Sequence, residues 1–506
     1  MKNQNVPWNM NRRDFVRLSA TAGLYLMAAP YVSLGTPYPD RPSTRMLGRT
    51  GFEVTTLGLG GQASLQWTPP GENPEQIILK ALSLGINYFD TSNRYGPSQL
   101  NYGKAFRQAN LIPGASGYDD RKRRSIFLAS KTRLRYAKGQ PGNRGNVTNV
   151  TNGPPGSMAV DDLKRTLSQI FGDGQGNYPA GSYVDLFQIH NLENLDEVAA
   201  IYEGLAKPDP KAEWIGALAA LRDYRDGTNL TGLNPKEEKL LQHIGITGHF
   251  SSPVLMACLQ RDTDNLIDTL LVAMNANDRQ YFSHQYNVLP VAAARNLGVI
   301  AMKVFADGSM YGKGNYFSRE QSDVVRSVGT PRLPSAPLIR YTLATPGVAT
   351  AIIGIGHIDQ DRNRCQLEQN LRAARLAGQM DSSERRKAED LAAQAKGGKT
   401  NYFQRQAEVL GPPRQVAASQ NMQGDQRVVS LTWQTAYASD QPLSHYEIQR
   451  DHKDIGRVEH QPQITEAPFA FQDQPKDHLA HRYRVITVDA AGRMAGSEEL
   501  LLPATG

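Results

Sequence analysis

Cysteine is almost missing. Cys258 and Cys365 are the only two in 506 residues, and neither stands at a metal-ligand spacing. A zinc site or a disulfide framework is therefore not expected. Charge of one sign is scarce as well: 56 basic against 49 acidic residues leave a net charge of +7, mostly scattered. The one dense run, "DRKRRS" at 120–125, lies between a Gly/Asp turn and an apolar strand. It reads as a solvated loop, and no nucleic-acid partner is expected. Long apolar runs are missing too. The best stretch, Leu18 to Ala29, is too short and weak for a membrane span. What is present is ordinary globular composition, 40% hydrophobic and 21% charged, in a chain long enough for two or three domains.

The first 34 residues stand apart. "NRRDFVRLSATAGLYLMAAP" pairs Arg12 with Arg13, follows with Phe15, and continues into an apolar run ending in small residues. This resembles a twin-arginine export signal. It implies the export machinery as a partner and a periplasmic or otherwise exported location. Membrane contact is then limited to this segment, should it stay uncleaved. That route moves folded proteins and suits enzymes that load a cofactor before they leave.

A Pro-rich linker follows, and then the rhythm changes. "TTLGLGG", "INYFD", "SIFLASK", "YVDLFQIH", "HIGITGH", "TLLVAMN", "GVIAMKV" and "ATAIIGIG" are short apolar runs with helix-period segments between them. Eight strands alternating with helices over 45–400 predict an α/β fold, a (β/α)8 TIM barrel. Three connections are long, at 108–124, 136–157 and 307–333; such loops at a barrel mouth are often functional. "KGGKTNYFQRQAEVLGPP" reads as a second linker. From 413 to 506 the pattern is period-two, with Trp433, Tyr446 and Tyr483 at strand positions. That predicts a small all-β immunoglobulin-like sandwich, and it resembles a fibronectin type III domain.

Polar residues gather at strand ends. Asp90 ends the second strand, with Tyr95 five residues on. Lys131 ends the third and His190 the fourth. C-terminal strand ends of such a barrel converge on one mouth. The set suits carbonyl reduction, in which the oxygen gains negative charge and needs a proton. A tyrosine hydroxyl can give it, although its ordinary pKa is ~10. Lys131 is expected to lower that pKa by its charge. Asp90 would hold Lys131, and His190 would orient the carbonyl.

The motifs "LGRTGFEVTTLGLGG", "GINYFDTSNRYG", "FLASKT", "DLFQIHNLE", "IGITGH" and "LEQNL" resemble the aldo-keto reductases over 45–400. The resemblance makes Asp90, Tyr95, Lys131 and His190 the catalytic tetrad and Tyr95 the proton donor. It implies a nicotinamide cofactor, NADP(H) ahead of NAD(H), and a small carbonyl or alcohol substrate, with carbohydrate one class. Cofactor contacts carry over to Gly60, Gly61, Thr247, His249, Asn275, Lys303, Gln369 and Asn370. Arg362 and Arg364 would serve the 2′-phosphate, because Gln366 falls where an arginine is usual. Met302 stands where an aromatic ring often stacks on nicotinamide, with Phe305 as a stand-in. Trp67, Tyr136 and Asn191 are candidate substrate contacts, with Phe282 and Tyr286 behind them. No metal is implied. Two other functions stay open: a tightly bound nicotinamide used in substrate-to-substrate redox or epimerisation, and a non-catalytic binding or adhesion protein.

Overall fold

The computed structural model describes residues 42–406 and 409–505. The twin-arginine segment lies outside the described residues. Eight parallel strands close a barrel: β1 Leu57–Gly60, β2 Tyr88–Asp90, β3 Phe127–Thr132, β4 Val184–Ile189, β5 Leu241–Gly248, β6 Ile267–Ala273, β7 Gly298–Met302 and β8 Val348–Gly354. They follow one another around the ring, and β5 pairs with β6 to complete it. Each coincides with one of the eight apolar runs.

Helices wrap the outside: α1 Pro74–Ser83, α2 Ser98–Gln108, α3 Ala159–Phe171, α4 Ala217–Asp226, α5 Ser252–Arg261, α6 Val288–Ala294, α7 Ser335–Leu343 and α8 Gln366–Arg375. Local chemistry sets their ends. For α1, the Asn73 carbonyl oxygen Oδ1 accepts from the amides of Glu75 (2.9 Å) and Gln76 (3.2 Å), and Pro74 opens the first turn. Gly85, at φ 76°, turns the chain back toward β2. Ile77, Ile78 and Ala81 form the buried face of this helix.

A further helix, α9 Ser382–Gln394, is followed by a segment that reads as a linker and is not one. Residues 400–406 are built into the barrel mouth. The Asn275 amide donates to Asn401 Oδ1 (2.8 Å), and the Asn277 amide donates to Thr400 Oγ1 (2.9 Å). The Phe282 amide donates to the Arg405 carbonyl at 2.5 Å. Phe403 is fully buried. Asn401 and Thr400 here accept from buried amide N–H groups that would otherwise cost free energy unpaired. No hydrophobic period signals that.

The C-terminal strands are β9 Arg414–Gln423, β10 Gln426–Gln434, β11 Leu443–Arg450, β12 Lys453–Glu459, β13 Phe469–Asp473, β14 His481–Asp489, β15 Met494–Gly496 and β16 Leu500–Leu502. They form two antiparallel sheets, β9-β10-β13 and β12-β11-β14-β15, with β16 also on β14. Trp433, Tyr446, Ile448, Tyr483 and Val485 from both sheets share one core. This layer sits on the barrel. Asn287 and Ala438 exchange two hydrogen bonds, 3.0 and 2.8 Å, and the Phe282 and Tyr437 rings lie 5.3 Å apart.

Candidate active site

Strand register explains why the polar strand ends meet. Asp90 is level with Ala129, and Lys131 lies two residues further along β3. Lys131 is level with Gln188, and His190 lies two residues beyond that. Residues two apart share a face. The three side chains therefore climb the same face toward the C-terminal end.

Lys131 Nζ sits 2.5 Å from Asp90 Oδ1 and donates to the Thr91 carbonyl at 2.8 Å. Both side chains are essentially sealed from solvent. The ammonium also lies 4.8 Å from the centroid of the Tyr95 ring. Tyr95 meets the His190 ring edge-on, with centroids 5.7 Å apart. His190 Nδ1 is 3.2 Å from Ser92 Oγ, which already accepts from the Arg94 amide at 3.2 Å. The structure thus brings Asp90, Tyr95, Lys131 and His190 into one contiguous group.

Electrostatics corrects one expectation. The Tyr95 hydroxyl is held well above its ordinary pKa, first by burial and then by the charges of Asp90 and Asp307. The expected lowering by Lys131 does not prevail over burial and these two carboxylates. Burial likewise raises the Asp90 carboxyl, against the pull of Lys131, and lowers the Lys131 ammonium. His190 is pushed well below the usual range, by burial and then by Lys131 and nearby cations. At neutral pH the site holds a protonated phenol beside a neutral imidazole.

A cavity of ≈ 110 Å³ opens beside Asp90 and Tyr95, walled by Gly60, Gly61, Met302, Lys303 and Phe305. Asp307 and the segment 323–328 cover it. A family comparison fits this arrangement: residues 56–391 match the Aldo/keto reductase family. The chain belongs to that family. Membership supports NAD(P)-dependent oxidoreduction. The uncharacterized oxidoreductase YqkF of Bacillus subtilis is 23% identical over 341 residues, 64% of this chain and 90% of its own length. L-galactose dehydrogenase of Arabidopsis thaliana is 22% identical over 333 residues, 62% of this chain and 85% of its own. A crystal structure of an aldo-keto reductase from Klebsiella pneumoniae in complex with NADPH aligns over 68% of this chain and 93% of its own, at 16% identity and a TM-score of 0.40.

The other expected contacts of the reductase barrel divide. Gly60, Gly61, Lys303, Met302 and Phe305 wall the cavity. Gly61 has a structural cause of its own: a Cβ there would collide with the Asp90 carbonyl oxygen. Thr247, His249, Asn275, Gln369, Asn370, Arg362 and Arg364 do not wall it. Thr247 Oγ1 accepts from the Asn191 amide at 2.8 Å, and His249 Nδ1 pairs with Asn191 Oδ1 at 2.7 Å. Asn275 is engaged by the Lys303 carbonyl (3.0 Å) and by Asn401. Arg362 is paired with Glu368 at 2.7 Å and Arg364 with Asp359 at 3.0 Å, both guanidiniums largely exposed. Gln369 donates to the Asn363 carbonyl. Asn370 is buried with neither amide atom partnered. Among the substrate candidates, Trp67 is half-buried in the turn after β1 and Asn191 is locked between His249 and Glu193. Tyr136 packs on Trp214, with centroids 4.9 Å apart, and walls a different cavity. Phe282 contacts the C-terminal layer instead.

Sequence reasoning missed Asp307. Its carboxylate takes Lys303 Nζ and Lys313 Nζ, each at 2.8 Å, with the Tyr402 hydroxyl (3.1 Å) and the Ser318 amide (2.9 Å). Burial would raise this carboxyl, but the two ammoniums hold it well below the carboxylate range. Lys303, directly after β7, was the available signal by the strand-end argument that found Lys131; Asp307 follows it after three apolar residues.

Proposed function

We propose that the protein interconverts a small carbonyl compound and its alcohol, with Tyr95 giving and taking the proton. The carrying observation is the sealed Asp90–Lys131 pair under a Tyr95 ring that meets His190 edge-on. A bound nicotinamide dinucleotide supplies or accepts the hydride. The cavity residues fit such a group: a glycine-lined backbone turn, the thioether of Met302, the Phe305 ring and one half-buried ammonium, Lys303.

In this reading the Ser92 hydroxyl donates a hydrogen bond to His190 Nδ1 of the neutral ring, which leaves Nε2 as the N–H donor. That donor orients and polarises the carbonyl oxygen, and Tyr95 Oη protonates it as charge develops. The raised Tyr95 pKa keeps the phenol protonated at neutral pH, the form that donates to a carbonyl oxygen. NADP(H) is the preferred dinucleotide, with Arg362 and Arg364 exchanging their carboxylate partners for a 2′-phosphate. Arg12 and Arg13 support action outside the cytoplasm after twin-arginine export. Tyr95→Phe should keep dinucleotide binding and lose turnover by ~10²-fold or more, the scale of general acid catalysis. Near-wild-type turnover would remove the assignment.

A second reading, a dinucleotide retained between turnovers, has one observation in its favour. The segment over the cavity is fastened at both ends. Asp307 grips Lys303 and Lys313, and Arg326 reaches Glu72 at 3.0 Å, which also takes His357 Nδ1 at 2.9 Å. Absorbance of the dialysed protein at the reduced-nicotinamide band separates the two readings.

A further inference from the structure

A second cavity, ≈ 370 Å³, lies inside the long loop that follows β3. Its walls include Leu134, Tyr136, Gln140, Pro154 and Met158, and one charged residue, Arg94. Arg94, in its wall, immediately precedes Tyr95 in the chain. A hydrogen-bonded brace ties the two together. Thr132, the residue after Lys131, donates to Asp162 Oδ2 at 2.7 Å, and Thr151 in the cavity wall donates to Asp162 Oδ1 at 2.6 Å.

Arg94, like Arg165 beside it on Asn93, differs from the other cations around the mouth. Lys131 has Asp90, Arg133 has Glu193, Arg135 has Glu197, and Lys303 and Lys313 share Asp307. Arg94 has no carboxylate within ion-pair distance among the described residues. It is half-buried, and only Nη1 is engaged, by the Thr151 carbonyl (3.2 Å) and Asn152 Oδ1 (2.7 Å). Burial and then the charge of Arg133 lower its pKa, and the charge of Asp162 offsets them only in part. A half-desolvated guanidinium with donors to spare is matched by an anionic oxygen group, which it can hold with two parallel bonds.

We propose that this loop cavity is a substrate subsite, in which Arg94 binds a carboxylate or phosphate carried on the far end of the carbonyl substrate. The proposal rests on the oxidoreductase reading and names its substrate class: an aldehyde or ketone with a distal anion. Tyr136 and the prolines give the intervening carbons an apolar wall, and Gln140 lies at the rim.

The test compares kcat/KM for matched aldehydes: succinic semialdehyde against butanal, and glyceraldehyde 3-phosphate against glyceraldehyde. Wild type should favour the charged member of at least one pair by about tenfold or more, the scale of one charge-assisted hydrogen bond. The pair that responds tells carboxylate from phosphate. In Arg94→Ala the preference should fall to about one, through KM and not kcat, and Arg94→Lys should restore part of it. No preference in wild type, or one that survives Arg94→Ala, overturns the subsite. Should Arg94→Ala fail to fold, Arg94→Gln carries the same comparison. Should no aldehyde turn over, calorimetry with succinate and glycerol 3-phosphate decides separately. Heat with wild type that is lost in the variant keeps the subsite and drops the redox reading. No heat with wild type overturns the subsite.

Discussion

Three aspartates at the barrel mouth make a graded comparison. Asp307, Asp90 and Asp278 are all largely buried, and burial pushes each carboxyl upward. They differ in cations. Asp307 has two ammoniums, Asp90 has one, and Asp278 has none within ion-pair distance among the described residues. The outcome follows that count. Asp307 is held well below the carboxylate range, Asp90 is raised, and Asp278 is pushed up to about 7 despite neutral donors from Gln404, Gln285 and Ser283. Neutral hydrogen bonds do not offset desolvation here; paired charge does, and one partner is not enough.

The largest break in this series is Lys131→Met. It leaves Asp90 buried without its only cation, and removal of one member of a buried pair costs ~3–5 kcal/mol. Urea unfolding at pH 7 measures it, and a loss under about 1 kcal/mol would mean that the pair is not sealed. Asp278→Asn comes next. A folded pKa raised above the unfolded one contributes stability that is complete below the unfolded pKa and lost as pH rises through the folded value. For Asp278 that window runs from about 4 to about 7. Wild type should lose on the order of 2–4 kcal/mol across it from this group, and the variant should show a flatter slope. Parallel stability curves for the two proteins would count against a carboxyl that titrates there.

Lys313→Met removes one of two cations and should cost only ~1 kcal/mol, because Lys303 keeps Asp307 paired. A cost equal to that of Lys131→Met would erase the graded comparison. The smallest effect is kinetic. Asp90 raises the Tyr95 pKa, and reduction needs the phenol protonated. Asp90→Asn should therefore move the alkaline limb of reduction to lower pH. An unmoved limb, or one that rises, would place the controlling charge elsewhere.

Much of this was legible in the residues. All eight barrel strands and the four strand-end side chains follow from apolar runs that terminate in polar groups, because burial and register both leave a period in the chain. What escaped has no period. The 400–406 segment follows two glycines like a linker, yet Asn401 and Thr400 accept from the Asn275 and Asn277 amides from more than a hundred residues away. The ion pairs of Arg362 with Glu368 and of Arg364 with Asp359 also leave no period, although the acids lie on either side of the arginines in the chain. The expected effect of Lys131 on Tyr95 was outweighed by burial and by the charges of Asp90 and Asp307, a balance that cannot be read from a strand end.

The 400–406 segment also leads us to expect an order of events in folding. Asn275, Asn277 and Phe282 finish pairing only when residues far down the chain arrive. The parallel strands can zip together first, with the rim still open. In hydrogen–deuterium exchange during refolding, the Phe282 amide should therefore gain protection late, after the β3 and β4 amides. The mouth of this barrel is closed from behind, by its own C-terminal third.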